Sequence, residues 1–198
     1  MTAIITITER RSKPWLALGL LFSLAACASG ATPGAMTVPL SEQTMIADRS
    51  ALRQAVRVGT VGGGQETNPL WASQVSNGDF AQALRQSLST HAMLSMESGV
   101  FRLDAQLVAL DQPLMGLDLT VRSRVLYRLT RVEGGAPVFE KEVAVSHNQS
   151  FGSAFAAVER LRLANEGAIR ANIRQFLTEL VAAERASPAT FAAPARVS

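Results

Sequence analysis

Residues 117–147 read LDLTVRSRVLYRLTRVEGGAPVFEKEVAVSH, and their alternation decides the fold. Leu117, Leu119, Val121, Val125, Tyr127 and Leu129 share one face of an extended chain. Asp118, Thr120, Arg122, Arg124 and Arg128 share the other. Glu133-Gly134-Gly135-Ala136-Pro137 supplies turn residues, and Val138 to His147 returns with Phe139, Val143 and Val145 inward and Glu140 and Glu142 outward. A strand pair that is apolar on one side only predicts an antiparallel sheet with one solvated face. Pairing Val132 with Val138 sets Arg128 opposite Glu142, an exposed cross-strand pair that favours register by at most ~1 kcal/mol.

Outward from this hairpin the same logic extends. Phe101, Leu103, Ala105 and Leu107 alternate with Arg102, Asp104 and Gln106 in a preceding strand, and Asp111-Gln112-Pro113 with Gly116 turns the chain. Ala55 to Val61 (AVRVGTV) reads as a further strand, stopped by Gly62-Gly63-Gly64. That glycine run is a turn rather than a phosphate loop: no Lys-Ser/Thr follows, and Pro69 stands where a helix should begin. Ser76 and Asp79 have capping-box spacing, and Phe80, Leu84 and Leu88 continue as an amphipathic helix to about Met93. A second helix spans about Ala156 to Ala183 on Val158, Leu161, Ile169, Ile173, Phe176, Leu177 and Leu180, with Gly167 able to soften it. The order β-α-β-β-β-α predicts a two-layer α+β sandwich over residues 51–184, an antiparallel sheet packed against two helices. The Ala/Pro/Ser-rich residues 185–198 read as a disordered tail.

The N-terminus carries a different signal. Arg10, Arg11 and Lys13 precede the apolar run WLALGLLF of residues 15–22, which is too short for a permanent span of ~20 residues. Leu24-Ala25-Ala26-Cys27 follows, and Cys27 is the single cysteine of the chain. Residues 1–26 therefore read as a signal peptide. Residues 28–50 mix Gly, Pro, Ser and Thr with no sustained period, so 27–50 reads as an anchor residue and flexible tether with an end-to-end distance of roughly 26 Å. Without residues 1–26, which hold Arg10, Arg11, Lys13 and Glu9, the net charge falls from +3 to +1, and basicity gives no argument for nucleic acid.

Chemistry-bearing patterns are sparse. His91 reads as a helix C-terminal or solvent position and His147 as a strand end, neither at ligand spacing from Cys, Asp or Glu. Gly152-Ser153-Ala154 reads as a turn ahead of the second helix, not a nucleophile elbow. Glu140 and Glu142 alternate on a solvated strand, unlike a desolvated catalytic pair. The arginines at 122, 124 and 128 read as a solvated face balanced by those glutamates. No cofactor or metal is expected. Trp71 reads as a core plug or a partner anchor, and Val58 marks a sparsely charged strand suited to augmentation if it lies at an edge.

Leu24-Ala25-Ala26-Cys27 resembles the lipobox of bacterial lipoproteins, in which the cysteine sulfur receives a diacylglycerol and a peptidase cuts before it. Together with the element order, the chain resembles small Gram-negative outer-membrane lipoproteins, such as the lipopolysaccharide-assembly lipoprotein and the auxiliary lipoproteins of ABC-type transporters. That resemblance implies lipidation of Cys27. Because Ala28 and Ser29 rather than Asp follow it, it also implies a place on the periplasmic face of the outer membrane. The implied role is a non-enzymatic accessory one in outer-membrane assembly or lipid transport, with an envelope protein or amphipathic lipid as partner. The alternative expectation is a periplasmic enzyme whose site is assembled from residues scattered in sequence.

Overall fold

The computed structural model describes residues 29–42, 46–68, 73–113, 118–154 and 157–192. Four strands form one sheet in the order β1-β2-β3-β4: β1 is Val56–Gly62, β2 Phe101–Asp111, β3 Leu119–Arg131 and β4 Phe139–Gln149. Helix α1 is the single turn Pro33–Met36; α2 is Asn77–Thr90, α3 Ala157–Ala186 and α4 the turn Pro188–Phe191. The architecture is α+β in two layers, with α2 lying against β1 and α3 across β3 and β4.

The alternating residues do what their period demands. Leu119, Val121, Val125, Tyr127 and Leu129 are buried on one face of β3, while Thr120, Arg122, Arg124 and Arg128 are exposed on the other. At the centre, Tyr127 stacks on Phe176 of α3 with ring centroids 4.0 Å apart, and Phe139 meets Phe176 edge-on at 5.9 Å. Helix α2 begins at the Ser76 N-cap that the sequence predicts. Ser76 Oγ accepts from the Asp79 N–H at 3.1 Å and donates to Asp79 Oδ2 at 2.6 Å.

Four features differ from the sequence reading. First, the sheet is mixed: β2–β3 and β3–β4 are antiparallel, but β1 joins β2 in parallel. Helix α2 runs back along the sheet between β1 and β2, so β2 starts at the same end as β1, and a crossover of this kind yields a parallel pair. Second, the hairpin register is shifted by two residues, pairing Leu129 with Phe139 and Arg128 with Glu140. A shift of two leaves every side chain on its expected face. It lengthens the connection, where Gly134 and Gly135 hold φ of +98° and +101°.

Third, the described part of the segment read as a flexible tether is packed structure. Met36 and Val38 are fully buried and Ala31 nearly so, and α1 touches both α2 and α3. Ala31 N–H donates to Gln74 O at 3.1 Å, Thr32 N–H to Glu166 Oε1 at 2.8 Å, and Val38 N–H to Ser87 Oγ at 3.0 Å. The segment fills the seam between the two helices. Burying Met36 and Val38 there contributes on the order of 1.5–3 kcal/mol each. Fourth, the chain beyond 184 is ordered as far as it is described. Helix α3 runs to Ala186, and Phe191 of α4 is buried edge-on to Phe101 at 6.1 Å. Arg131 lies 5.3 Å over the Phe101 ring and donates to the carbonyls of Thr190, at 2.9 Å, and Ala192. One aromatic residue and one arginine thus order a tail whose composition alone reads as disorder.

Candidate functional site

The helices cover one face of the sheet and leave the other bare. Charge is laid across that bare face in register. Arg128 Nε and Nη2 donate to the two carboxylate oxygens of Glu140 at 2.8 and 3.1 Å, a bidentate pair across β3 and β4. The Arg128 guanidinium holds the Glu140 carboxyl below the ordinary carboxylate range. Arg124 reaches Glu142 at 3.4 Å, and Arg102 reaches Asp104 at 3.1 Å. Arg124 and Arg128 of the stripe are therefore balanced by the glutamates as their neighbours predict, while Arg122 stands in register with Asp111 of β2 and Ser146 of β4.

A shallow cleft of about 260 Å³ opens on this face between Thr60, Asp104, Gln106, Leu126 and Arg128. Its charged groups are already engaged. Asp104 Oδ1 accepts from the Thr60 N–H at 2.7 Å, its Oδ2 accepts from Arg102, and Arg128 is held by Glu140. Gly59 makes this possible, because a Cβ there would lie 2.4 Å from Asp104 Oδ1 and 2.7 Å from Arg102 Cγ. With its acid tied up in an ion pair and a backbone bond, the cleft offers shape and hydrogen bonding rather than a poised general base.

The sheet has two edges, β1 and β4. Val58 lies on the first, and its half-buried side chain packs on the core, so it would meet a partner through its backbone. That edge is short. Leu94 bridges to Val56, Ser95 N–H donates to Val56 O, and the register breaks between Val58 and Val61. Such a bulge hinders strand addition. The edge of β4 is eleven residues long and pairs with no further described strand. Glu140, Lys141 and Glu142 guard its first half, whereas Val143–Gln149 carries no acidic or Lys/Arg side chain. The sequence reading made the first strand a docking edge on condition that it lie at one; it does, and β4 is a second, longer edge that composition did not single out.

Cys27 and Trp71 lie outside the described residues. His91 is the C-terminal cap residue of α2, as its place in the sequence suggests, but it is buried rather than solvated: it is 1 % exposed, neither ring nitrogen has a hydrogen-bond partner among the described residues, and desolvation lowers its pKa from 6.5. His147 reaches Gln149 Oε1 at 3.4 Å and lays its ring on α3 at Gly167, where a Cβ would fall 2.2 Å from Nε2. Helix α3 runs through Gly167 unbroken. The glycine serves close approach, and the two histidines are not brought together with any carboxylate cluster able to hold a metal among the described residues.

Two groupings escape sequence reasoning altogether. Asn172 on α3 spans a buried network. It accepts from Tyr127 Oη at 2.9 Å and donates through Nδ2 to Val143 O at 2.9 Å and Ser123 Oγ at 3.2 Å. An asparagine inside a helical stripe gives no advance sign of such a role. At the hairpin end of the sheet, Val100 and Val132 are exposed and joined by a 2.9 Å backbone bond, and Met96 is 87 % exposed. Val132 reads as a strand residue, and nothing local links it to Met96 or Val100.

No family model matches the chain, and no curated protein matches it. Among solved structures, it superposes on a Xanthomonas campestris protein of the DUF330 family with a TM-score of 0.52 at 6 % identity, over 74 % of this chain and 95 % of that one. A Caulobacter crescentus protein provisionally classed as a lipoprotein gives a TM-score of 0.47 at 15 % identity, over 67 % of this chain and 91 % of that one. The first of these likenesses shows a shared fold across nearly the whole of the Xanthomonas protein.

Proposed function

We propose that this protein is a lipid-anchored accessory protein of the Gram-negative envelope. In this reading it is held on the periplasmic face of the outer membrane by acylated Cys27 and works by binding rather than by catalysis. The observation that carries the reading is the order of basic residues, short apolar run and Leu24-Ala25-Ala26-Cys27, with Ala28 and Ser29 behind it. One chain anchors marginally at ~0.8 kcal/mol per buried methylene, so stable attachment needs the two or three chains that such cysteines receive. The partner is an envelope protein or an amphipathic lipid of the assembly or transport machinery. The uncharged half of the β4 edge supports strand addition by a protein partner, where backbone hydrogen bonds supply affinity and alternate side chains supply selectivity.

The test is fractionation of envelopes from cells making the wild-type chain or Cys27→Ser, with radiolabelled fatty acid supplied. Label on the wild type and an outer-membrane position, both lost in the variant, are expected. A wild-type chain that never takes up label refutes the anchor. Photocrosslinkers at Ala144 and Ser146, compared with Thr60 beside the β1 edge, then report which edge the partner meets.

A further inference from the structure

We propose that the domain sits directly on the bilayer, end-on, with the end at which Ala31 joins the fold turned to the lipid headgroups. This rests on the anchor reading above and adds the orientation that the anchor imposes. Three residues separate Cys27 from Ala31, and the four steps of an extended chain span at most ~3.6 Å each, so the lipidated sulfur lies within roughly 15–20 Å of the packed surface. Ala31 is already bound: its N–H donates to Gln74 O, and the next residue, Thr32, gives both its N–H and its hydroxyl to Glu166 Oε1 at 2.8 and 2.9 Å. Glu166 is itself buried and held by Arg162 Nη1 at 2.8 Å. The slack expected of a 23-residue coil is therefore taken up in the seam between α2 and α3.

The topology fixes which end this is. The C-terminal ends of β1, β2 and β4 and the start of β3 lie there, and Gln65 N–H pairs with Val75 O beside the Ala31 contact. The hairpin after β3 lies at the other end, about 40 Å away along a strand of thirteen residues. End-on docking therefore carries Met96, Val100 and Val132 away from the membrane, while the β4 edge runs along the bilayer normal. The occupant of the near end is the lipid surface, because the acyl chains leave no room for another body between it and Ala31.

Single cysteines at Gln65 (near end) and Glu133 (far end), both exposed, test this in the full-length lipoprotein, where the acylated Cys27 thioether cannot react. Each is labelled with a donor dye, and the protein is reconstituted in phosphatidylethanolamine–phosphatidylglycerol vesicles carrying a headgroup acceptor. Energy transfer severalfold higher from Gln65→Cys than from Glu133→Cys is expected. Insertion of twenty Gly/Ser residues between Ser29 and Gly30 should abolish the difference. Equal transfer from the two sites in lipid-bearing protein, or a difference that survives the insertion, overturns the orientation and leaves the anchor standing. A mass showing unmodified Cys27 overturns the anchor, and the orientation with it.

Discussion

The Tyr127 hydroxyl donates to Asn172 Oδ1 at 2.9 Å inside the core, and through this one asparagine α3 is keyed to both β3 and β4. Burial pushes the Tyr127 pKa well above 10, so the phenol stays a donor at any pH the fold survives. Asn172→Ala leaves the phenol, the Val143 carbonyl and the Ser123 hydroxyl short of a partner. It should cost about 2–4 kcal/mol in urea denaturation. Tyr127→Phe leaves only Asn172 Oδ1 unpaired and should cost about 1–2 kcal/mol. Equal losses would show that the network is not shared in this way.

Gly167 and His147 form a second keyed contact, with an opposite expectation for substitution. Alanine in place of glycine ordinarily favours a helix by about 1 kcal/mol, but here a methyl group would fall against the imidazole. Gly167→Ala should therefore destabilise the wild type and stabilise a His147→Ser background. A double-mutant cycle by thermal unfolding reads the coupling, and a sign that is the same in both backgrounds removes the contact from the account.

Stability should fall on mild acidification because of His91. Burial without a partner lowers its folded-state pKa below 6.5. Above pH 6.5 the folded and unfolded chains both carry it neutral. As pH drops from 6.5 through the lowered value, the unfolded chain binds a proton that the folded one refuses, and stability is lost at up to roughly 1.4 kcal/mol per pH unit. His91→Leu should flatten the urea midpoint between pH 7 and pH 5. A slope unchanged by that substitution would assign the effect to other groups.

The seam segment should behave as core. Met36→Ala should cost about 2–4 kcal/mol, and a chain lacking residues 29–42 should expose the seam between α2 and α3 and bind a hydrophobic dye. A tether would permit both changes without loss. Phe191→Ala, at about 3 kcal/mol, tests the tail in the same way, read by calorimetry.

What could be read in advance was whatever repeats with a period. Alternation in 101–107 and 117–147 and the Phe80, Leu84, Leu88 spacing marked four elements and their buried faces, and Ser76 with Asp79 marked the start of a helix. Residues that act singly were not legible. Met36 and Val38 sit among Gly and Pro without a repeat, and Phe191 stands alone in an Ala/Pro stretch, yet each fills a gap defined by elements far away in sequence. Register failed for a related reason, since a two-residue slip preserves the hydrophobic pattern and is decided by the Gly134-Gly135 connection and by Arg128 meeting Glu140. The uncovered edge, and the Asn172 network, depend on which strands become neighbours, and no local window contains that.

Hydrogen bonds across more than 130 residues join the beginning of the fold to α3, among them Thr32 to Glu166 and Ser50 to Glu184, each pair 134 residues apart. Such closures come late, because the loop entropy must be spent before the contact forms. A chain emerging N-terminus first holds Met36 and Val38 with nowhere to put them until α3 is made. Its opening residues therefore remain in reach of processing enzymes and chaperones for nearly the whole of synthesis, and α3 is the element that closes that interval.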